Sequence, residues 1–111
     1  MDTTRQNKIA KLIQKELAEI FLEDGLPIYG CMITVTLTKV TPDLSLARSY
    51  LSIFNAGDTH EVLKGVKRNI KDIRYRMAQK VKHQLRIIPQ LDFFIDDSLD
   101  YLENIENLLK S

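Results

Sequence analysis

Lys64-Gly65-Val66-Lys67-Arg68-Asn69-Ile70-Lys71-Asp72-Ile73-Arg74-Tyr75-Arg76-Met77-Ala78-Gln79-Lys80-Val81-Lys82-His83-Gln84-Leu85-Arg86 holds nine basic residues against one acid, Asp72. The whole chain has 16 lysines and arginines in 111 residues, so more than half of them fall in this stretch. Val62, Leu63, Val66, Ile70, Ile73, Met77, Val81 and Leu85 recur at steps of three and four. That period places them on one face of a helix, buried on that side and positive on the other. The formal net charge of +1 hides the segment completely. A face of this kind points to a polyanionic partner, and first to nucleic acid.

Upstream of it, two strands are expected. Residues 31–40 alternate, with Ile33, Val35 and Leu37 on the core side and Thr34, Thr36 and Thr38 on the other. Residues 46–54 form the second strand, with Ala47, Ser49, Leu51 and Ile53 inward and Arg48, Tyr50, Ser52 and Phe54 outward. Thr41-Pro42-Asp43-Leu44-Ser45 is the turn between them. A first helix covers 3–22, capped by Thr3 or Thr4, with Ile9, Leu12, Ile13, Leu17, Ile20 and Phe21 as its stripe. Gly25, Pro27 and Gly30 read as loop punctuation.

Downstream, Asp58 or Thr59 caps the basic helical stretch, which runs to about His83. Pro89 precedes a third strand at 91–96, where Leu91, Phe93 and Ile95 share a face. Asp97 or Ser98 caps a terminal helix over 98–110, striped by Leu99, Leu102, Ile105, Leu108 and Leu109. The predicted class is α+β: one small domain over 1–111, ordered helix-strand-strand-helical segment-strand-helix. Its sheet is three-stranded and mixed, with helices on one face.

Composition narrows the function. Cys31 is the single cysteine, which excludes a disulfide framework or a cysteine-based zinc site. The polar N-terminus and the lack of an apolar run of about 20 residues point to a cytoplasmic protein without a membrane span. No metal, no cofactor and no catalytic constellation are expected. His60 and His83 have no partners at ligand spacing. Charge is segregated: residues 1–58 carry six basic and seven acidic side chains, 59–89 nine and two, and 90–111 one and six.

Three segments carry a resemblance. Gln14-Lys15-Glu16-Leu17, Val40-Thr41-Pro42-Asp43-Leu44-Ser45-Leu46-Ala47 and Leu85-Arg86-Ile87-Ile88-Pro89-Gln90-Leu91-Asp92-Phe93-Phe94-Ile95-Asp96-Asp97-Ser98-Leu99 resemble ribosome-binding factor A. The element order resembles a KH domain of type II. The resemblance covers about residues 5–105. It implies an assembly factor that binds the immature small ribosomal subunit and its 16S rRNA, assists late maturation and rRNA processing, works in cold adaptation and has no enzymatic activity. A monomer is expected. The alternatives are a protein-interaction module and a free-standing KH-type regulator of mRNA.

KH domains join their paired helices by a Gly-x-x-Gly turn, and the family resembled tends to show Ala-x-Gly. Counting back from Pro89, that place holds Lys71-Asp72-Ile73. Either the helix is continuous there or a kink forms without glycine.

The candidate RNA-binding residues are Lys64, Lys67, Arg68, Lys71, Arg74, Arg76, Lys80, Lys82 and Arg86. A merely solvated helix face is normally mixed in sign, and like charges four apart cost about 0.2–0.5 kcal/mol per pair. Arg76 and Arg86 have a structural alternative, pairing with an acid of the sheet or the terminal helix. Replacing Arg74, Arg76 and Lys80 together by glutamate is expected to abolish subunit binding and leave the fold intact; Lys8, Lys11 and Lys15 should matter less. Tyr50, Phe54 and Phe94 share the outer sheet face, where base stacking is the minor reading. Asp96 and Asp97 read as helix caps rather than an acid–base pair.

Overall fold

Thr3 opens the first helix with a reciprocal cap: its Oγ1 accepts from the Gln6 amide at 3.1 Å, and Gln6 Oε1 accepts from the Thr3 amide at 3.0 Å. The buried Gln6 side chain also donates through Nε2 to the Val40 carbonyl at 3.0 Å, fixing the start of this helix to the end of the first strand. In the computed structural model, which describes residues 3–96, the elements are α1 (Thr4–Asp24), β1 (Met32–Val40), β2 (Leu46–Phe54), α2 (Thr59–Arg68), α3 (Ile70–Val81) and β3 (Gln90–Ile95). One wide turn of π-type helix, Gly25–Tyr29, follows α1. It ends on Gly30, whose φ of 69° lies in the left-handed region that glycine adopts without penalty. The terminal helix expected over 98–110, and its cap at Asp97 or Ser98, lie outside the described residues.

β1 and β2 pair antiparallel across the tight turn. β3 then joins β2 in parallel, from Leu46 opposite Gln90 to Leu51 opposite Ile95. The parallel pairing follows from the long crossover through α2 and α3. Ile13, Leu17 and Phe21 of α1 meet Ile73, Met77 and Val81 of α3 over Ala47, Leu51 and Phe93 of the sheet, all buried. Phe21 and Phe93 meet edge to face, 5.6 Å between centroids at 85°. The chain has the KH-like order expected for its class.

One expectation is corrected, and one open alternative is decided. The strict alternation assigned to β1 fails at Thr36. Val35 pairs with Leu51 and Leu37 with Tyr50, so Thr36 is an extra residue and the strand changes phase. Leu37 therefore faces solvent, while Thr38 is buried and hydrogen-bonded to the buried Ser49 hydroxyl at 2.9 Å. Of the two alternatives open for the basic helical stretch, the kink without glycine is the one present. It falls at Asn69, two residues before the segment singled out in the sequence.

Candidate nucleic-acid interface

Asn69 makes the break with φ −98° and ψ 10°, in the bridge region that non-glycine residues reach without severe clash. Its amide donates to the Val66 carbonyl, closing α2, and its carbonyl accepts from the Ile73 amide, opening α3. Its side chain donates from Nδ2 to the Tyr29 hydroxyl at 3.0 Å. Burial pushes the Tyr29 phenol above its ordinary pKa, so it stays neutral and available to accept. The π-type turn after α1 thus holds the kink from below. Lys71-Asp72-Ile73, placed at the family's small-residue motif by counting, falls in the first turn of α3.

Around this kink the nine basic candidates separate by what they touch. Arg76 is held by the far end of α1. Its Nη1 donates to Asp24 Oδ2 at 2.6 Å and its Nη2 to Asp24 Oδ1 at 3.1 Å, a two-pronged pair with a carboxylate only 11% exposed. Glu23 at 3.4 Å and Asp72 at 3.7 Å add to it. The hydrogen bonds to Asp24, more than the surrounding charge, push the guanidinium pKa further up. Arg76 therefore has the structural role weighed for it, although its acids come from α1 and α3 rather than from the sheet or terminal helix. Arg74 leaves α3 on the other flank. Its Nε donates to the Pro89 carbonyl at 2.9 Å and its Nη2 to the Ile88 carbonyl at 2.7 Å. These contacts count against the expectation that Arg74→Glu, Arg76→Glu and Lys80→Glu together leave the fold intact, because two of those side chains tie α3 to α1 and to the approach of β3.

Two of the remaining candidates are lightly engaged by carboxylates. Lys64 lies 3.3 Å from Glu61 with both side chains exposed, an ion pair of little energetic weight. Lys67 lies 3.8 Å from Asp92, with its ammonium 5.8 Å from the centre of the Phe94 ring. Arg68, Lys71, Lys80, Lys82 and Arg86 are exposed and form no ion pair with any described residue. Lys82 donates through Nζ to Gln79 Oε1 at 3.5 Å.

The structure adds a residue that the sequence reading passed over. Tyr75 is 65% exposed on α3. At 100° per residue it shares the solvent stripe with Lys71 and Lys82, a planar ring set among cations. Its signal in the sequence is an aromatic one helical turn after Lys71, off the apolar stripe. The sheet aromatics behave otherwise. Tyr50 and Phe94 stack on each other at 5.5 Å and 29°, and Lys67 occupies the neighbourhood of Phe94, so these rings are already engaged. Phe54 is exposed at the end of β2. Asp96 accepts a hydrogen bond from Thr36. Among the described residues no group of three or more His, Cys, Asp or Glu side chains is placed to hold a metal, and no helix is long and apolar enough to cross a membrane.

Comparison with known proteins agrees with this fold. A solved crystal structure, that of ribosome-binding factor A from Thermus thermophilus, superposes with a TM-score of 0.68 at 20% identity, covering 81% of this chain and 94% of that one. A homology model of the Thermus thermophilus factor, fitted into a cryo-EM map of a complex between the 30S subunit and ribosome-binding factor A, gives a TM-score of 0.63 at 21% identity, over 78% and 89%. Among curated relatives called ribosome-binding factor A, that of Flavobacterium johnsoniae is 45% identical over 113 residues, covering 98% of this chain and 85% of its own length. That of Cytophaga hutchinsonii is 38% identical over 110 residues, covering 98% and 83%. The family model described as ribosome-binding factor A matches residues 5–109. With relatives and family model both running nearly end to end, the chain belongs to the ribosome-binding factor A family.

Proposed function

We propose that the chain is a cytoplasmic, non-enzymatic assembly factor that binds the immature small ribosomal subunit through 16S rRNA and assists its late maturation and rRNA processing. The observation that carries this reading is the solvent face of α2 and α3: Arg68, Lys71, Lys80 and Lys82 stand exposed without ion pairs among the described residues, with Tyr75 among them. Phosphates supply the missing counter-charge and a splayed base stacks on the ring. The Thermus thermophilus relative fitted with a 30S subunit supports the choice of partner.

The test is co-sedimentation with immature and mature small subunits. Lys71→Glu, Tyr75→Ala and Lys82→Glu combined change only exposed side chains, so the fold should hold while subunit binding is lost. Binding by wild type should fall log-linearly with salt, by about 0.7–0.9 per phosphate neutralised. Cells lacking the factor should accumulate small subunits with unprocessed 16S rRNA, most in the cold. A folded triple variant that sediments normally with immature subunits would refute this assignment of the face.

A protein-docking reading has one observation in its favour. Leu22, Leu26, Ile28 and Met32 are exposed around the π-type turn. It requires binding that is nearly insensitive to salt, and the same titration separates the two.

A further inference from the structure

The α1–α3 packing runs antiparallel. The C-terminal end of α1 meets the middle of α3 through Asp24 and Arg76, and the turn beyond it meets the kink through Tyr29 and Asn69. The N-terminal end of α1 consequently lies at the other end of α3, where the chain leads into β3. A groove of about 770 Å³ opens there. Arg5 and Lys8 of α1 line one side, Pro42 and Asp43 of the β1–β2 turn another, and Arg86 and Ile87 a third.

Three cations thus line one groove, two from α1 and one from the segment between α3 and β3. All three are exposed, and none has an ion pair with a described residue. The acid in the groove is turned to its own loop. Asp43 Oδ1 accepts from Thr41 Oγ1 at 2.8 Å, Ser45 Oγ at 2.8 Å and the Ser45 amide at 3.1 Å. These bonds, the one from Thr41 first, hold its carboxyl below the usual range, so it remains ionised and lowers the groove's positive charge by one. The helix end is not the recognition element, because Thr3 and Gln6 already cap each other across it. The side chains supply the charge.

The groove is far larger than a free phosphate needs and is open to solvent. It also continues the face already described. Lys82 lies two residues before Gln84, which lines the groove, and α3 spans about 18 Å between the kink and this end. We infer that the groove takes a second stretch of RNA sugar-phosphate backbone, so that one strand crosses α3 and is held at both ends. This inference rests on the proposed RNA-binding role of the α2–α3 face.

The test compares two variants with the same loss of charge on the same helix. Arg5→Ala with Lys8→Ala removes two groove cations; Lys11→Ala with Lys15→Ala removes two cations that do not line it. Each is titrated with a labelled single-stranded RNA and with isolated small subunits over a range of salt, after circular dichroism shows the helix content unchanged. The groove variant should bind about tenfold more weakly. Its slope of log affinity against log salt should be reduced by about 1.4, from about 0.7 for each of two phosphates no longer neutralised. The control variant should keep the wild-type slope. Equal slopes in the two variants overturn the inference while wild-type binding leaves the parent reading standing. Failure of wild type to bind either RNA probe overturns both. A polyglutamate peptide is the third probe: if the groove variant loses only that peptide and keeps its RNA slope, the groove serves an acidic protein segment and the inference is wrong.

Discussion

Arg74 and Arg76 stand two positions apart in a basic run, and nothing in their immediate neighbours distinguishes them from Lys71 or Lys82. Their partners are remote: Asp24 is 52 residues from Arg76, and the Ile88 and Pro89 carbonyls are 14 and 15 residues from Arg74. This is why charge density made the basic face legible in the sequence, while the division into members tied to other elements and members without ion pairs among the described residues was not. The division has measurable consequences. Arg76→Ala leaves the largely buried Asp24 carboxylate without its main partner and should cost about 3 kcal/mol of stability, read from urea denaturation. Arg76→Lys should recover only part of this, because an ammonium cannot reproduce the two-pronged contact. Lys71→Ala should leave stability within about 0.5 kcal/mol and weaken RNA binding instead. A Lys71→Ala variant as destabilised as Arg76→Ala would contradict the separation.

The kink between α2 and α3 shows how far periodicity reads at the level of an element. Val66, Ile70, Ile73 and Met77 keep helical spacing across the break, so the stripe alone does not reveal it. Strand and helix boundaries elsewhere agree closely: the expected 46–54 is Leu46–Phe54, and the expected 91–96 is Gln90–Ile95. The kink depends on a tertiary contact, Tyr29 to Asn69, and no local propensity announces that. Tyr29→Phe removes the acceptor and should loosen the α2–α3 junction. Amide hydrogen exchange near residues 66–73 should rise, with a loss of about 1 kcal/mol in overall stability. Unchanged protection at Asn69 and Ile73 would show that the backbone holds the kink without help from the π-type turn.

For the molecule as a whole, the order of elements and the mixed sheet were readable because two strands joined by a five-residue turn must pair antiparallel, whereas a third reached through a long helical crossover returns in parallel. The phase change at Thr36 was not readable, since the threonines on both sides of it satisfy either register. It sets how the protein behaves in a crowd of its own copies. In the sheet order β1-β2-β3, β1 is an edge strand among the described residues. A straight nine-residue edge with Met32 and Leu37 exposed offers a template for another chain to zip onto. The extra residue breaks that ladder midway and twists it. Deleting Thr36 would bring Val35 and Leu37 into consecutive pairing with Leu51 and Tyr50, leaving inside and outside unchanged but the edge flat. The deleted protein should fold and then self-associate, seen as concentration-dependent light scattering and thioflavin binding where wild type gives neither. Thr36 would then be the residue that keeps this sheet from polymerising.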